Sequence, residues 1–218
     1  MRQTGRIERS IRKVKIYLSP SDQSDNITAI GTTEAEQCGK IARECAKILN
    51  ARGNLTLVGD NTQKGSYRYR VKESNLFGAD LHICIHTNAG GGQGTLVLCS
   101  NKSKENAYVK SVYEKVAELT PTKDKGIQVR TDLYEINATK AVCIYIEVEF
   151  HDNIDSEKWI DKHIVQIAKA IADGITPEGE HVLYKVQVGA FSIKDNAVEL
   201  QNQLKKLGYD AIIKEERT

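Results

Sequence analysis

Long apolar runs are missing from this chain. None approaches the ~20 residues of a bilayer span, so no membrane insertion is expected. The N-terminus also lacks the roughly 7 to 15 apolar residues of a secretory signal, and synthesis in the cytoplasm is expected. Net charge is small: 31 basic against 29 acidic residues leave +2. That balance excludes strong global steering toward a polyanion, and no nucleic-acid partner is expected. The basic start (Arg2, Arg6, Arg9, Arg12, Lys13 and Lys15, opposed by Glu8) reads as a solvated tail. Paired cysteine spacing is absent too. Cys38, Cys45, Cys84, Cys99 and Cys143 are odd in number and share no Cys-x-x-Cys interval, which argues against a structural zinc knot. All lie in apolar patterns, as buried free thiols of a reducing compartment do. Gly90 to Gly94 lack the lysine and the strand-to-helix setting of a phosphate-cradling loop.

What is present is an alternation of strand and helix patterns over a 40% hydrophobic background. Lys13 to Leu18, Leu55 to Val58, Leu81 to His86, Thr95 to Cys99 and Ala141 to Glu147 read as strands. Ile127 to Val129 and Leu133 to Ile136 read as short extended pieces. Helical spacing recurs over Glu34 to Arg52, Tyr67 to Phe77 and Ala107 to Leu119, and from about Ser156 to Gly174. The pattern predicts an α/β fold: a twisted, mostly parallel sheet flanked by helices. Residues 13–175 form its domain, and 176–182, with Pro177 and Gly179, read as a linker. Residues 183–218 then read as a small partial β-α-β module: Tyr184 to Val188, a helix through Ala197, Leu200, Leu204 and Leu207, and Tyr209 to Ile213.

The chemistry-bearing residues cluster at two strand ends. His86 closes an apolar strand and opens into a glycine-rich loop, where open α/β sheets place their ligands. His82 and Cys84 share its face, and the deeper His82 reads as a core residue. Glu147 closes the second strand, with Glu149 and His151 on the same face if the extended conformation continues. Two acids and an imidazole crowded together call for a cation or water. A carboxylate beside a metal-bound water is the usual general base of zinc hydrolysis. Glu34 begins its helix, where the dipole alone would favour an acid. Asn88 either orients a substrate or holds a turn. A cysteine nucleophile at Cys84 or Cys99 has little support, since neither sits on a strand-to-helix elbow.

Four segments resemble the zinc-dependent N-acetylmuramoyl-L-alanine amidases of cell-wall hydrolases and phage endolysins. They are Glu34 at its helix start, "SNLFGADLHICIHTNA" from Ser74 to Ala89, "DLYEI" from Asp132 to Ile136, and "AVCIYIEVEFHDN" from Ala141 to Asn153. The resemblance implies Glu34 and His86 as Zn²⁺ ligands, Glu147 as the catalytic acid/base and peptidoglycan as the partner of a monomer. It implies action on the cell wall after release or export. One departure stands out. The family usually opens with Asp-Pro-Gly-His, and here Ser19-Pro20-Ser21-Asp22 puts Asp22 where the third ligand, a histidine, belongs. Asp22 and His151 therefore compete for that position, with His151 favoured because imidazole restores a two-histidine, one-carboxylate set. The rival reading is an impaired amidase-like domain that binds peptidoglycan without cleaving it. Tyr184 to Ala211 resembles the start of a SPOR domain, a peptidoglycan-binding module, in which Gln187 and Phe191 are the candidate contacts.

Overall fold

The structure is a computed structural model that describes residues 13–177, 187–208 and 211–215. The chain divides into two compact units, Met1–Gly179 and Glu180–Thr218.

In the first unit β1 (Lys15–Pro20), α1 (Glu34–Ala51), β2 (Leu55–Val58), α2 (Tyr67–Phe77) and β3 (Leu81–Asn88) follow in order. They are joined by β4 (Leu96–Cys99), α3 (Ala107–Leu119), β5 (Gly126–Val129), α4 (Tyr134–Ala138), β6 (Val142–Phe150), α5 (Ile154–Lys162) and α6 (Ile164–Ile175). The strands form one six-stranded sheet in the order β2-β1-β3-β6-β4-β5. β2, β1, β3 and β6 are mutually parallel, whereas β4 runs antiparallel to β6 and carries β5 parallel to itself. The central strands are covered on both faces, which is why β3 and the middle of β6 read as near-continuous apolar runs.

On one face Ile16, Leu18, Ile83, Ile85, Ile144 and Ile146 pack with Cys38, Ile41, Cys45 and Leu49 of α1, Val112 and Val116 of α3, and Ile167 and Ile171 of α6. Gly174 lets α6 approach α3: a Cβ there would lie 2.5 Å from Val112 Cα, so no side chain fits. On the other face Cys84, Cys143 and Leu98 pack with Ile136 of α4. No helix among the described residues is long and apolar enough to cross a membrane.

The structure corrects two expected elements. Leu133 to Ile136 is not extended; α4 is a short helix that turns Glu135 inward toward His82. The last long helix is two helices, because His163 breaks it. Its Nδ1 donates to the Trp159 carbonyl at 2.7 Å and its ring stacks on Trp159, with backbone at φ −120° and ψ 21°. In the second unit only α7 (Lys194–Lys206) is a regular element among the described residues. The expected strand Tyr184 to Val188 lies outside them as far as Val186, and Gln187 and Val188 are not in a strand. Of Tyr209 to Ile213, Tyr209 and Asp210 lie outside and the rest is irregular.

Candidate active site

The sheet brings the two strand ends together. β3 and β6 pair in register, with His86 opposite Glu147. Past that pair the register slips, so that Asn88 faces Phe150. α1 supplies the third group. Thr33 caps the helix by accepting from the Glu36 amide, which frees Glu34 from capping duty. The Glu34 carboxylate turns inward instead. Oε1 lies 2.9 Å from His86 Nδ1, and Oε2 accepts from Asn26 Nδ2 at 2.7 Å. His151, just beyond β6, completes the cluster with Nδ1 4.0 Å from Glu34 Oε2. Thr87 holds that imidazole through its hydroxyl at 2.9 Å and its carbonyl at 3.2 Å. A carbonyl only accepts, so Nδ1 is the donor in that contact.

Burial is nearly complete for Glu34, His86 and His151. Among the described residues, His86 Nε2 and Glu147 Oε2 are buried polar atoms with no hydrogen-bond partner. Such atoms are rare and ask for a ligand. Burial works against the Glu34 carboxylate, but His86 and then Asn26 outweigh it and hold its carboxyl below the usual range. Burial likewise works against charged His86, yet Glu34 and Glu147 raise its affinity for a proton. For Glu147 the balance falls the other way: burial outweighs the opposing pull of His86 and, with Glu34 adding to it, pushes its carboxyl up to about 7. The pocket therefore concentrates negative potential on one imidazole, and a cation fits what the proton now offsets. Two imidazoles and a carboxylate are also the donor set of catalytic zinc.

Other expected site residues sit elsewhere. Asp22 is drawn to Arg70: its Oδ2 lies 3.3 Å from Nη1 and accepts from Ser66 Oγ at 3.1 Å. Glu149 does not join the cluster, because Gly94 N at 2.8 Å and Thr122 Oγ1 hold its carboxylate. Asn88 Oδ1 accepts from its own neighbour Ala89 N at 2.8 Å, so it holds the turn. In the second unit Gln187 Nε2 donates to Gly189 O at 3.3 Å, and Phe191 is partly exposed. Sequence reasoning missed Asn26, Thr87, Tyr145 and Arg70. Tyr145 stacks on the His86 ring, with centroids 4.4 Å apart. Its position two residues before Glu147 was the available signal, since period two puts both on one face.

The profile described as N-acetylmuramoyl-L-alanine amidase matches residues 18–177, which span β1 to α6 and every residue of the cluster. The chain belongs to the N-acetylmuramoyl-L-alanine amidase family. A SPOR domain profile matches residues 157–217 and overlaps the amidase match at α5 and α6. This amidase-family chain is 28% identical over 214 residues to the N-acetylmuramoyl-L-alanine amidase CwlM of Bacillus licheniformis, covering 92% of this chain and 84% of that protein. It is 26% identical over 215 residues to the sporulation-specific N-acetylmuramoyl-L-alanine amidase of Bacillus subtilis (strain 168), with the same coverage of 92% and 84%. Its fold is similar to the catalytic domain of CwlV, the amidase from Bacillus (Paenibacillus) polymyxa var. colistinus. That match has a TM-score of 0.67 and 20% identity, and covers 75% of this chain and 96% of that one.

Proposed function

We propose that this amidase-family chain hydrolyses the amide between N-acetylmuramic acid and the L-alanine of the peptidoglycan stem peptide, in the pocket around Glu147. The observation that carries the reading is the buried, unpartnered Oε2 of Glu147, a residue in register with His86 and beside the Glu34–His151 cluster. Glu34, His86 and His151 are the residues that would hold Zn²⁺. Bound there, the ion would supply Lewis acidity, lowering the pKa of a water toward about 7 and offsetting charge on the scissile carbonyl oxygen.

The chain's own groups do the rest. Glu147 takes the proton of the attacking water at Oε2 and returns one to the leaving amine. Its raised proton affinity suits a group that must hold a proton between the two events. Tyr145 fixes the plane of the His86 ring, and Asn26 fixes the Glu34 carboxylate. The organisation we infer is an amidase domain over 13–175, a linker over 176–182 and a partial SPOR-like module over 183–218. The module would contact glycan through Gln187 and Phe191, and the protein would act on the cell wall as a monomer.

Incubation with purified cell walls is expected to release new alanine amino termini, and a chelator is expected to stop the release. Binding to the walls with no new amino termini would refute the hydrolytic reading. The third ligand has its own test. His151→Ala is expected to lower zinc content by about one ion per chain, whereas Asp22→Ala, whose partner is Arg70, keeps it. The reverse order in elemental analysis would reassign the ligand to Asp22.

A further inference from the structure

Below the proposed active site, on the same face of β3, lies a second group of ligand-type side chains that the hydrolytic reading does not use. A ring nitrogen of His82 and the sulfurs of Cys84 and Cys143 all lie within 4.8 Å of one another. All three residues are buried in the sheet centre, and all the cysteines are free. We infer that His82, Cys84 and Cys143 form a second metal site, which takes a soft divalent cation of the zinc class and ties β3 to β6.

Three observations carry this. The two sulfurs are 3.8 Å apart, and two zinc–sulfur bonds of about 2.3 Å at a tetrahedral angle also put sulfurs about 3.8 Å apart. The imidazole has a carboxylate partner of the kind that orients metal-bound histidines. Its Nε2 meets Glu135 Oε1 at 3.3 Å, and Nδ1 is buried without a partner. Glu135 is itself fixed by Ser19 Oγ at 2.6 Å, so the carboxylate that orients the ring is oriented in turn. Finally, the pair is poorly placed for a disulfide. Cys143 pairs in register with His82, not with Cys84. Cys84 is two residues farther along, which puts the Cα atoms roughly 8 Å apart, beyond the ~7 Å limit for a bridge.

The charge balance selects the cation class. Binding one M²⁺ displaces the two thiol protons to solvent, with no change of oxidation state, and leaves a neutral dithiolate centre. A monovalent soft ion would leave a net negative charge in a dry sheet interior, where such a charge is costly. The residues belong to strand centres rather than to a cleft, so the role is structural.

Cobalt substitution and elemental analysis of the full chain test the site independently of any wall-cleaving activity. A chain with Cys38, Cys45 and Cys99 all changed to alanine keeps only the Cys84–Cys143 thiols. Loaded with Co²⁺, it is expected to show the intense near-ultraviolet thiolate-to-cobalt band. Adding His86→Ala is expected to remove one metal equivalent and leave that band in place. Cys84→Ala/Cys143→Ala in the otherwise unaltered chain is expected to lose one zinc while the active-site ion stays. Absence of the band from the chain with three cysteines replaced overturns the second site, even if the double-alanine chain fails to fold. Loss of the band together with His86 would assign it to the active-site metal and overturn the inference equally.

Discussion

Glu147→Gln is expected to lower turnover by a factor of ~10²–10⁴, the usual contribution of a positioned acid/base, while fold and zinc content stay unchanged. The amide keeps the shape of the protonated carboxyl but cannot exchange a proton. A second consequence is specific to burial. Glu147 titrates at about 7 in the metal-free protein against 4.5 for an unperturbed glutamate, chiefly because burial penalises its charge. The folded state thus holds the proton more tightly than the unfolded chain. Its contribution to stability is fully present below about 4.5 and is lost as pH rises through about 7. Metal-free wild type should therefore lose roughly 2–3 kcal/mol from this group over that interval. Metal-free Glu147→Gln should lack that part of the decline and be the more stable protein at pH 8. Urea denaturation at the two pH values reads the difference. Wall digestion at the wild-type rate, or an identical pH slope in both proteins, would remove Glu147 from its role.

Arg70→Met is expected to destabilise the first unit by about 3–5 kcal/mol, the cost of stranding buried charges. Arg70 is fully buried and sits at the junction of β1, α2 and α4. Its Nε donates to Ser19 Oγ at 2.8 Å, and Nη1 donates to Ser66 Oγ at 2.6 Å. Nη1 also lies 3.3 Å from Asp22 and Nη2 3.9 Å from Glu135. Methionine keeps much of the volume but leaves both acids without the guanidinium. Burial works against ionised Glu135, and His82 followed by Arg70 holds its carboxyl below the usual range. A carboxyl so lowered stabilises the fold above its unfolded pKa and loses that contribution as pH falls through its folded value. The deficit of Arg70→Met should accordingly be largest near neutral pH and shrink toward pH 4. Thermal unfolding should show a fall of roughly 10 °C or more. A loss below about 1 kcal/mol would mean that water or a rearranged His82 replaces the arginine.

The two central strands were legible because their signal is local. A run such as Leu81 to Ile85 carries one polar residue, His82, among apolar ones, so it reads as an interior strand, and His86 at its end inherits a defined place. Helix α2 and strand β2 were equally plain, each closed by a glycine. Gly78, at φ 67°, ends α2 in the left-handed region that side chains disfavour. The break at His163 was not legible, because the apolar period runs on through it. Only a side-chain bond to the Trp159 carbonyl interrupts it. Glu149 was grouped with Glu147 by strand alternation, and the bulge beside His86 together with the Gly94 and Thr122 contacts sends it elsewhere.

By itself the amino-acid order determined the alternating α/β plan, the amidase resemblance and the candidates Glu34, His86, Glu147 and His151, since periodicity and short motifs are properties of neighbours in the chain. Tertiary structure alone decided that Asp22 belongs to Arg70 and that His151 reaches Glu34. It also decided that Asn26 contacts Glu34, Thr87 contacts His151 and Tyr145 stacks on His86. Those pairings join residues from 8 to 117 positions apart. They arise where β1, β3, β6 and α1 converge in the folded sheet, and no local pattern encodes which distant partner a buried charge will find.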